Sequence, residues 1–485
     1  MTATLPQTTR SDDDDLHGLG YRPTLHRKLG RYASFAAGFS FVSILTTIFQ
    51  LFAFGYSSGG PAFFWTWPLV LVGQLLVALV FAELAARMPL SGAVYQWSRR
   101  VGGETVGWFA GWYMALAQVV TAAAAAIALQ VVLPQLWEGF QLVGGDPALT
   151  SVTGATNAVV LGALLLAVTT VINSIGVTCE IVGVIAVVLA LVTAARRGPG
   201  VVADTSVLSA SATGATGAFL VSALMAAYVM VGFNSAGELS EETRDPRRTA
   251  PRTIVSALLV SGIGGALMLI TALMAAPSLT DGRLATEGLP YVMTAVLGTF
   301  WGKVLLVDVA IAIVVCTLAI QTAGSRLVFS MARDGQLPAA RHLAHVDPRR
   351  GTPVWPSVVI GVLAVGLLAV NIGNAALFTT LSSVCIVMIY LAYLLVSVPA
   401  LIARLRGRFP ANEPGLFSLG RWGLPINIVA VLYGAAMVVN LSWPRAEVYD
   451  PTGEHPWLTF AAPAAVVGVL VLGLLARPTR KATDA

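Results

Sequence analysis

Charge is what this chain has least of: Asp, Glu, Lys and Arg together make up 11% of its 485 residues. A soluble domain usually carries about 25%, so an ordinary water-facing surface is excluded. Histidine is also scarce. All five, at 17, 26, 342, 345 and 455, lie outside the long apolar blocks, which argues against haem, copper or zinc held by imidazoles inside a membrane. The three cysteines, Cys179, Cys316 and Cys385, sit in or at the edge of apolar blocks without CxxC spacing, so neither disulfides nor a zinc site are expected. Missing too are HExxH, GxSxG and a P-loop, since Gly302-Lys303 lacks the spacing and the Ser/Thr of a phosphate cradle. Protease, redox enzyme and ATPase thereby lose their main support, and neither a cofactor nor a metal is called for. The net charge of +5 is mostly arginine between the blocks, where it would meet anionic lipid headgroups. No basic patch suited to nucleic acid is present.

What the chain has in quantity is apolar surface: 56% of its residues are hydrophobic, and its mean hydropathy is +0.78. Twelve bilayer-spanning helices of roughly 20–22 residues would use about 260 residues, which is close to that share. Charge-poor blocks fall near 34–55, 64–86, 105–136, 155–178, 180–195, 217–238, 253–276, 301–331, 354–370, 375–403, 422–441 and 457–476. An all-α integral membrane protein of about twelve spans follows. An even count puts both termini on one side. With that side cytoplasmic, 24 of the 29 lysines and arginines are inside, leaving Arg196, Arg197, Arg283, Lys303 and Arg445 outside. This satisfies the positive-inside rule and, without organelle signals, points to a multi-pass protein of the cell (inner) membrane. Residues 1–30 hold the acidic run Asp12 to Asp15 and a basic stretch, and read as a disordered cytosolic tail. A twelve-helix domain over 31–476 and a second cytosolic tail over 477–485 complete the layout.

Two spans are interrupted at corresponding places. The first carries Gly38, Ser40, Ser43, Thr46 and Thr47 in SFAAGFSFVSILTTIFQ; the sixth carries Gly232, Asn234, Ser235 and Gly237 in AAYVMVGFNSAGEL. Small residues also serve close helix packing. Backbone groups freed at a break, however, cost several kcal/mol against lipid and are tolerated where they line a cavity. Since each span is first in a set of five, the matched positions favour two inverted repeats with a site at mid-membrane.

Three strings carry a family resemblance: FAELAARMPLSGAVYQW after the second span, GFNSAGELSEETRDPRRTAPRTI after the sixth, and SRLVFSMARDGQLP at the end of the eighth. In this order they resemble the amino acid/polyamine/organocation superfamily of permeases, specifically its GABA and choline permease branch. The resemblance implies a five-plus-five inverted-repeat secondary transporter, with repeats over 34–195 and 217–403 and two peripheral helices over 422–476. It also implies a small-molecule substrate, an amino acid or related amine with GABA-like compounds first and choline, ethanolamine or polyamines second. Carried over by position, the first break falls at Ser40, Phe41, Val42, Ser43 and Ile44, and the second at Tyr228, Gly232, Phe233 and Asn234. The α-amino-acid permeases usually carry G-x-G at the first break; here the matching residues are Phe41-Val42-Ser43. A close carboxylate cradle is therefore in question, and Phe41, Tyr228 and Phe233 could stack on an ammonium group.

Ionisable residues inside spans need a reason. Glu83 and Arg87, four apart, share a helix face and can pair. Glu241 at the end of the sixth span and Arg326 in the eighth are candidates for an inner gate, although interfacial charges that snorkel would look the same. Asp308, within the eighth span, could carry a coupling proton or pair with Lys303. The fifth span lacks the proton-bearing lysine found in some relatives. Gln118 on the third span is candidate polar lining of the substrate site. A channel or a membrane sensor on the same scaffold is the competing class, but neither a filter-like re-entrant segment nor a soluble output domain is visible.

Overall fold

A computed structural model describes residues 11–149, 151–171, 178–205, 208, 214–373, 375–450 and 455–478. These residues are helical with no β-sheet, as a lipid-embedded backbone that must satisfy its own hydrogen bonds requires. Eight helical segments are long and apolar enough to cross a bilayer, the first of them running through spans one and two. Three shorter apolar helices occupy the places of spans five, six and nine.

In order, the spans are Arg31–Val42 with Ile44–Gly59, Thr66–Arg87, Glu104–Leu136, Val152–Val171, Thr178–Thr193, and Gly214–Val229 with Ser235–Glu238. Then come Pro246–Ala275, the part of Leu289–Arg333 beyond a kink at Gly298, Val354–Gly373, Ala375–Leu405, Gly423–Ser442 and Ala461–Ala476. Span one packs on six, two on seven, three on eight and four on nine, each against its counterpart five along. Cross pairs recur in the same way: three with ten is answered by eight with five, and one with seven by six with two. Five crossings reverse the direction of entry, so the second set is inverted relative to the first. Small residues let the paired spans approach. Trp67 of span two donates its indole N–H to the Gly262 carbonyl of span seven at 2.7 Å, and a Cβ at Gly265 would lie 2.1 Å from the same ring. Spans eleven and twelve pack outside on spans two, three and ten.

The links sort onto two faces as twelve alternating crossings demand. On the face opposite the N-terminus, Tyr56 donates to the Leu279 carbonyl, Trp65 to that of Val202 and Lys303 to that of Leu136. The N-terminal face gathers the links after spans two, six, eight and ten, together with residues 11–30. That last segment differs from the disorder expected of it. Ser11 caps a helix over Asp12–Gly18, Arg247 pairs with Asp15, and Leu29 bridges to Thr243. The Tyr21 hydroxyl donates to Asp334 at 2.9 Å while the Arg333 guanidinium lies 4.0 Å from its ring centroid. The segment's composition suits disorder only in isolation; its partners come from links far away in the chain. The C-terminal tail from residue 479 lies outside the described residues.

Candidate functional site

The first break is a single residue. Ser43 adopts φ 36° and ψ 71°, a left-handed conformation that costs a non-glycine residue about 1–2 kcal/mol. Local bonds hold it there: Ser43 Oγ donates to Thr46 Oγ1 at 2.8 Å, and Thr47 Oγ1 donates to the Ser43 carbonyl at 2.8 Å. The Cys316 thiol of span eight reaches the freed Phe41 carbonyl at 3.8 Å. Beyond Ser43 a new helix begins, and its first N–H groups, from Ile44 onward, have no intrahelical acceptor.

The second break runs over Met230–Asn234, between the helix ending at Val229 and the turn starting at Ser235. Gly232 sits at φ 88°, and a Cβ there would lie 1.8 Å from the Phe41 ring. Its N–H donates to Tyr393 Oη at 3.0 Å. The two breaks therefore touch, and only glycine permits it.

A small cavity of about 20 Å³ lies beside them. Phe41, Val42 and Tyr228 line it together with the polar Thr46, Thr47, Gln50 and Thr121, and no charged side chain is among its described lining residues. Of the residues singled out for substrate, Phe41, Val42 and Tyr228 reach this cavity, and Gly232 stands against Phe41. The others point elsewhere. Phe233 is fully buried between Phe81 and Tyr393, with ring centroids 5.9 and 5.2 Å away, and is not available to stack on an ammonium. Asn234 bonds Tyr393 and Glu238. Ile44 faces Gly264 of span seven. Gln118 is buried against Gly324 of span eight, and Thr121, one turn along, takes its place in the cavity. A larger polar cleft of about 220 Å³, lined by Thr170, Gln321, Arg326 and Arg350 among others, lies on the N-terminal side between spans four, eight and nine.

Ser40 and Ser43 lead to a further acidic residue, one not among the candidates from sequence. Glu180 of span five is 1% exposed, and among the described residues neither of its carboxylate oxygens has a hydrogen-bond partner; nor does Ser40 Oγ. It faces Ser40 and Ser43. Asp308 presses on span five, where a Cβ at Gly183 would lie 1.6 Å from its Oδ2. Lys303, offered as its partner, instead donates to the Leu136 carbonyl. The signal for Glu180 was present, an acid in an apolar run, but it fell at the seam between the blocks 155–178 and 180–195. The fifth span in fact starts by Thr178, which places Glu180 inside it.

Ion pairs join the spans on the N-terminal side of the breaks. Arg326 grips Glu242 with two bonds, 2.6 and 3.0 Å, and Arg333 grips Glu241 with two, 2.8 and 2.9 Å. Arg326 and Glu241 thus belong to one network but not to one pair. The Ser91 N–H also donates to Glu241, bringing in the connecting helix Ala93–Gly102. Glu83 pairs with Arg87 at 2.8 Å as the i,i+4 spacing suggests, yet it is shared with Arg404 of span ten, and both arginines lie over the Phe409 ring. This second cluster ties span two to spans ten and eleven. No group of three or more His, Cys, Asp or Glu suited to a metal ion occurs among the described residues.

Paired spans of opposite sense, two touching breaks and a cavity between them define a multi-pass membrane transporter of the five-plus-five inverted-repeat class. The chain belongs to the amino acid permease family, whose model matches residues 29–471. It is a transporter of amino acids, not an enzyme. It is 26% identical to the amino-acid permease BAT1 of Arabidopsis thaliana over 95% of this chain and 92% of that one. To a putative amino acid/polyamine transporter of Macrophomina phaseolina it is 23% identical, over 85% and 94%. The crystal structure of MhsT in complex with L-phenylalanine shares the fold, with a TM-score of 0.58 at 14% identity, over 83% of this chain and 98% of that one.

Proposed function

We propose that the chain is a secondary active transporter of a small zwitterion, GABA-like amino acids first, bound where the two breaks meet. The observation that carries this reading is the uncharged cavity between two broken helices. A zwitterion needs no charged partner there: the first N–H groups of the helix from Ile44 suit its carboxylate, and the carbonyls ending the helix at Val229 suit its ammonium. A polyamine would want a carboxylate in the lining. Choline is the second reading, favoured by the two aromatics, Phe41 and Tyr228, that face the cavity.

Glu180 and Asp308 are the proposed coupling groups. A buried carboxylate faced only by the Ser40 and Ser43 hydroxyls, with no cation paired to it among the described residues, is costly when charged, so a proton is the simplest occupant for Glu180. The N-terminal face, with its arginine-rich links, is assigned to the cytoplasm of a cell with an inner membrane, which places the ion pairs at an inner gate. Uptake of labelled amino acids and amines into proteoliposomes, with and without a proton gradient, tests the substrate and the coupling. Saturable uptake of GABA or a neighbouring amino acid supports the reading, and transport of choline alone would replace it with the second.

A further inference from the structure

Span ten holds the break of span six from behind. Tyr390 and Tyr393 are three residues apart, so they lie nearly above one another on one helix face. The Tyr390 hydroxyl reaches the Ala227 carbonyl, near the end of the outer half of span six, at 3.5 Å. The Tyr393 hydroxyl accepts the Gly232 N–H at 3.0 Å and donates to Asn234 Oδ1 at 2.6 Å. Asn234 Nδ2 continues to Glu238 Oε1 at 3.3 Å. Glu238 is fully buried, and the backbone of Gly92, Ala93 and Val94, where the connecting helix starts, faces its carboxylate. One residue earlier, Ser91 bonds Glu241 of the Arg333 pair.

We infer that Tyr393 is a positioning residue that couples occupancy of the substrate site to the ion pairs on the N-terminal side. Gly232 has Phe41, a cavity wall, on one side and Tyr393 on the other. A displacement of Gly232 by substrate therefore reaches Asn234, Glu238 and the connecting helix through one hydroxyl. The same hydroxyl occupies the Gly232 N–H, which leaves the first span's N–H groups as the free donors for a substrate carboxylate. The inference rests on the proposed function in taking the cavity as the substrate site.

The test compares Tyr393→Phe, Asn234→Ala and the double variant with the parent in proteoliposomes. Tyr393→Phe keeps the ring against Phe81 and Phe233 and loses one oxygen. Half-saturation should stay within about twofold while the maximal rate falls roughly tenfold, the effect of one buried donor left unpaired. The double variant should be no slower than the slower single variant. A Ser330→Cys reporter under Gly92, read with a membrane-impermeant thiol reagent above the labelling of the parent's own cysteines, follows the N-terminal side directly. Substrate should change its labelling in the parent and not in Tyr393→Phe. A normal maximal rate with substrate-responsive labelling would overturn the inference, as would single effects that multiply in the double variant. If the parent transports nothing in the panel, the proposed function fails, and the inference is judged on basal labelling. A severalfold change in Tyr393→Phe upholds it, and an unchanged rate overturns it.

Discussion

Gly232 and Phe41 pack directly against each other across the two breaks: a Cβ on Gly232 would lie 1.8 Å from Cδ1 of the Phe41 ring, and the glycine's φ of 88° is one that other residues resist. Two independent penalties thus fall on any side chain at 232.

Gly232→Leu is expected to abolish uptake while leaving membrane insertion intact, because the new side chain must displace Phe41 from the cavity wall. Gly232→Ala should already lower uptake severely. Uptake measured against the amount of protein in the membrane decides, and normal transport by the leucine variant contradicts the account.

Phe41 and Tyr228 should part company with Phe233. Alanine at either of the first two should weaken substrate binding by about 0.5–2 kcal/mol beyond its cost in stability, if each ring faces the ammonium. Phe233→Ala should cost about 3–5 kcal/mol of stability with no direct effect on binding, since it empties a packed site between Phe81 and Tyr393 away from the cavity. Thermal unfolding in detergent beside binding affinity separates the two outcomes.

Glu242→Gln should be among the more destabilising single changes on the N-terminal side. Arg326 and Glu242 side chains are 4% and 8% exposed, so removing one charge leaves the other buried and unpaired, at about 3–5 kcal/mol. Glu241→Gln should cost less, because its partner Arg333 is 15% exposed and can reach water. Equal melting temperatures for the two variants would contradict this ordering.

Much of the fold could be read from the chain because length and apolarity decide it: a run of about 20 apolar residues has few alternatives to a span. The breaks were readable too, as clusters of small and polar residues at matched positions, and Ser43 and Gly232 stand at their centres. What sequence could not supply was which face each residue turns. Gln118 and Thr121 are one turn apart, and only packing against Gly324 decides which meets the cavity. Arg326 visibly needed an anion, but its partner among Glu238, Glu241 and Glu242 is fixed by where span eight crosses the end of span six. Tyr393 gave no signal at all, being an aromatic in an apolar helix whose hydroxyl finds its use 159 residues away. The ordered segment from Ser11 was hidden for the same reason.

Glu180→Gln is expected to remove the dependence of uptake on a proton gradient while leaving exchange of substrate across the membrane, because the amide mimics the protonated acid permanently. Asp308→Asn should have the smaller effect of the two, since Asp308 is only partly buried and stands against Gly183, one turn along span five from Glu180. Gradient-driven accumulation that survives Glu180→Gln would exclude it as the proton carrier.

Counterflow in proteoliposomes loaded with unlabelled GABA tests the central claim most directly, since only a carrier with an alternately exposed site draws labelled substrate inward against unlabelled substrate leaving. The account predicts transient accumulation of labelled GABA that saturates, is inhibited by β-alanine but not by choline, and disappears in Gly232→Leu. Accumulation unaffected by Gly232→Leu, or driven by choline and not by amino acids, would contradict it.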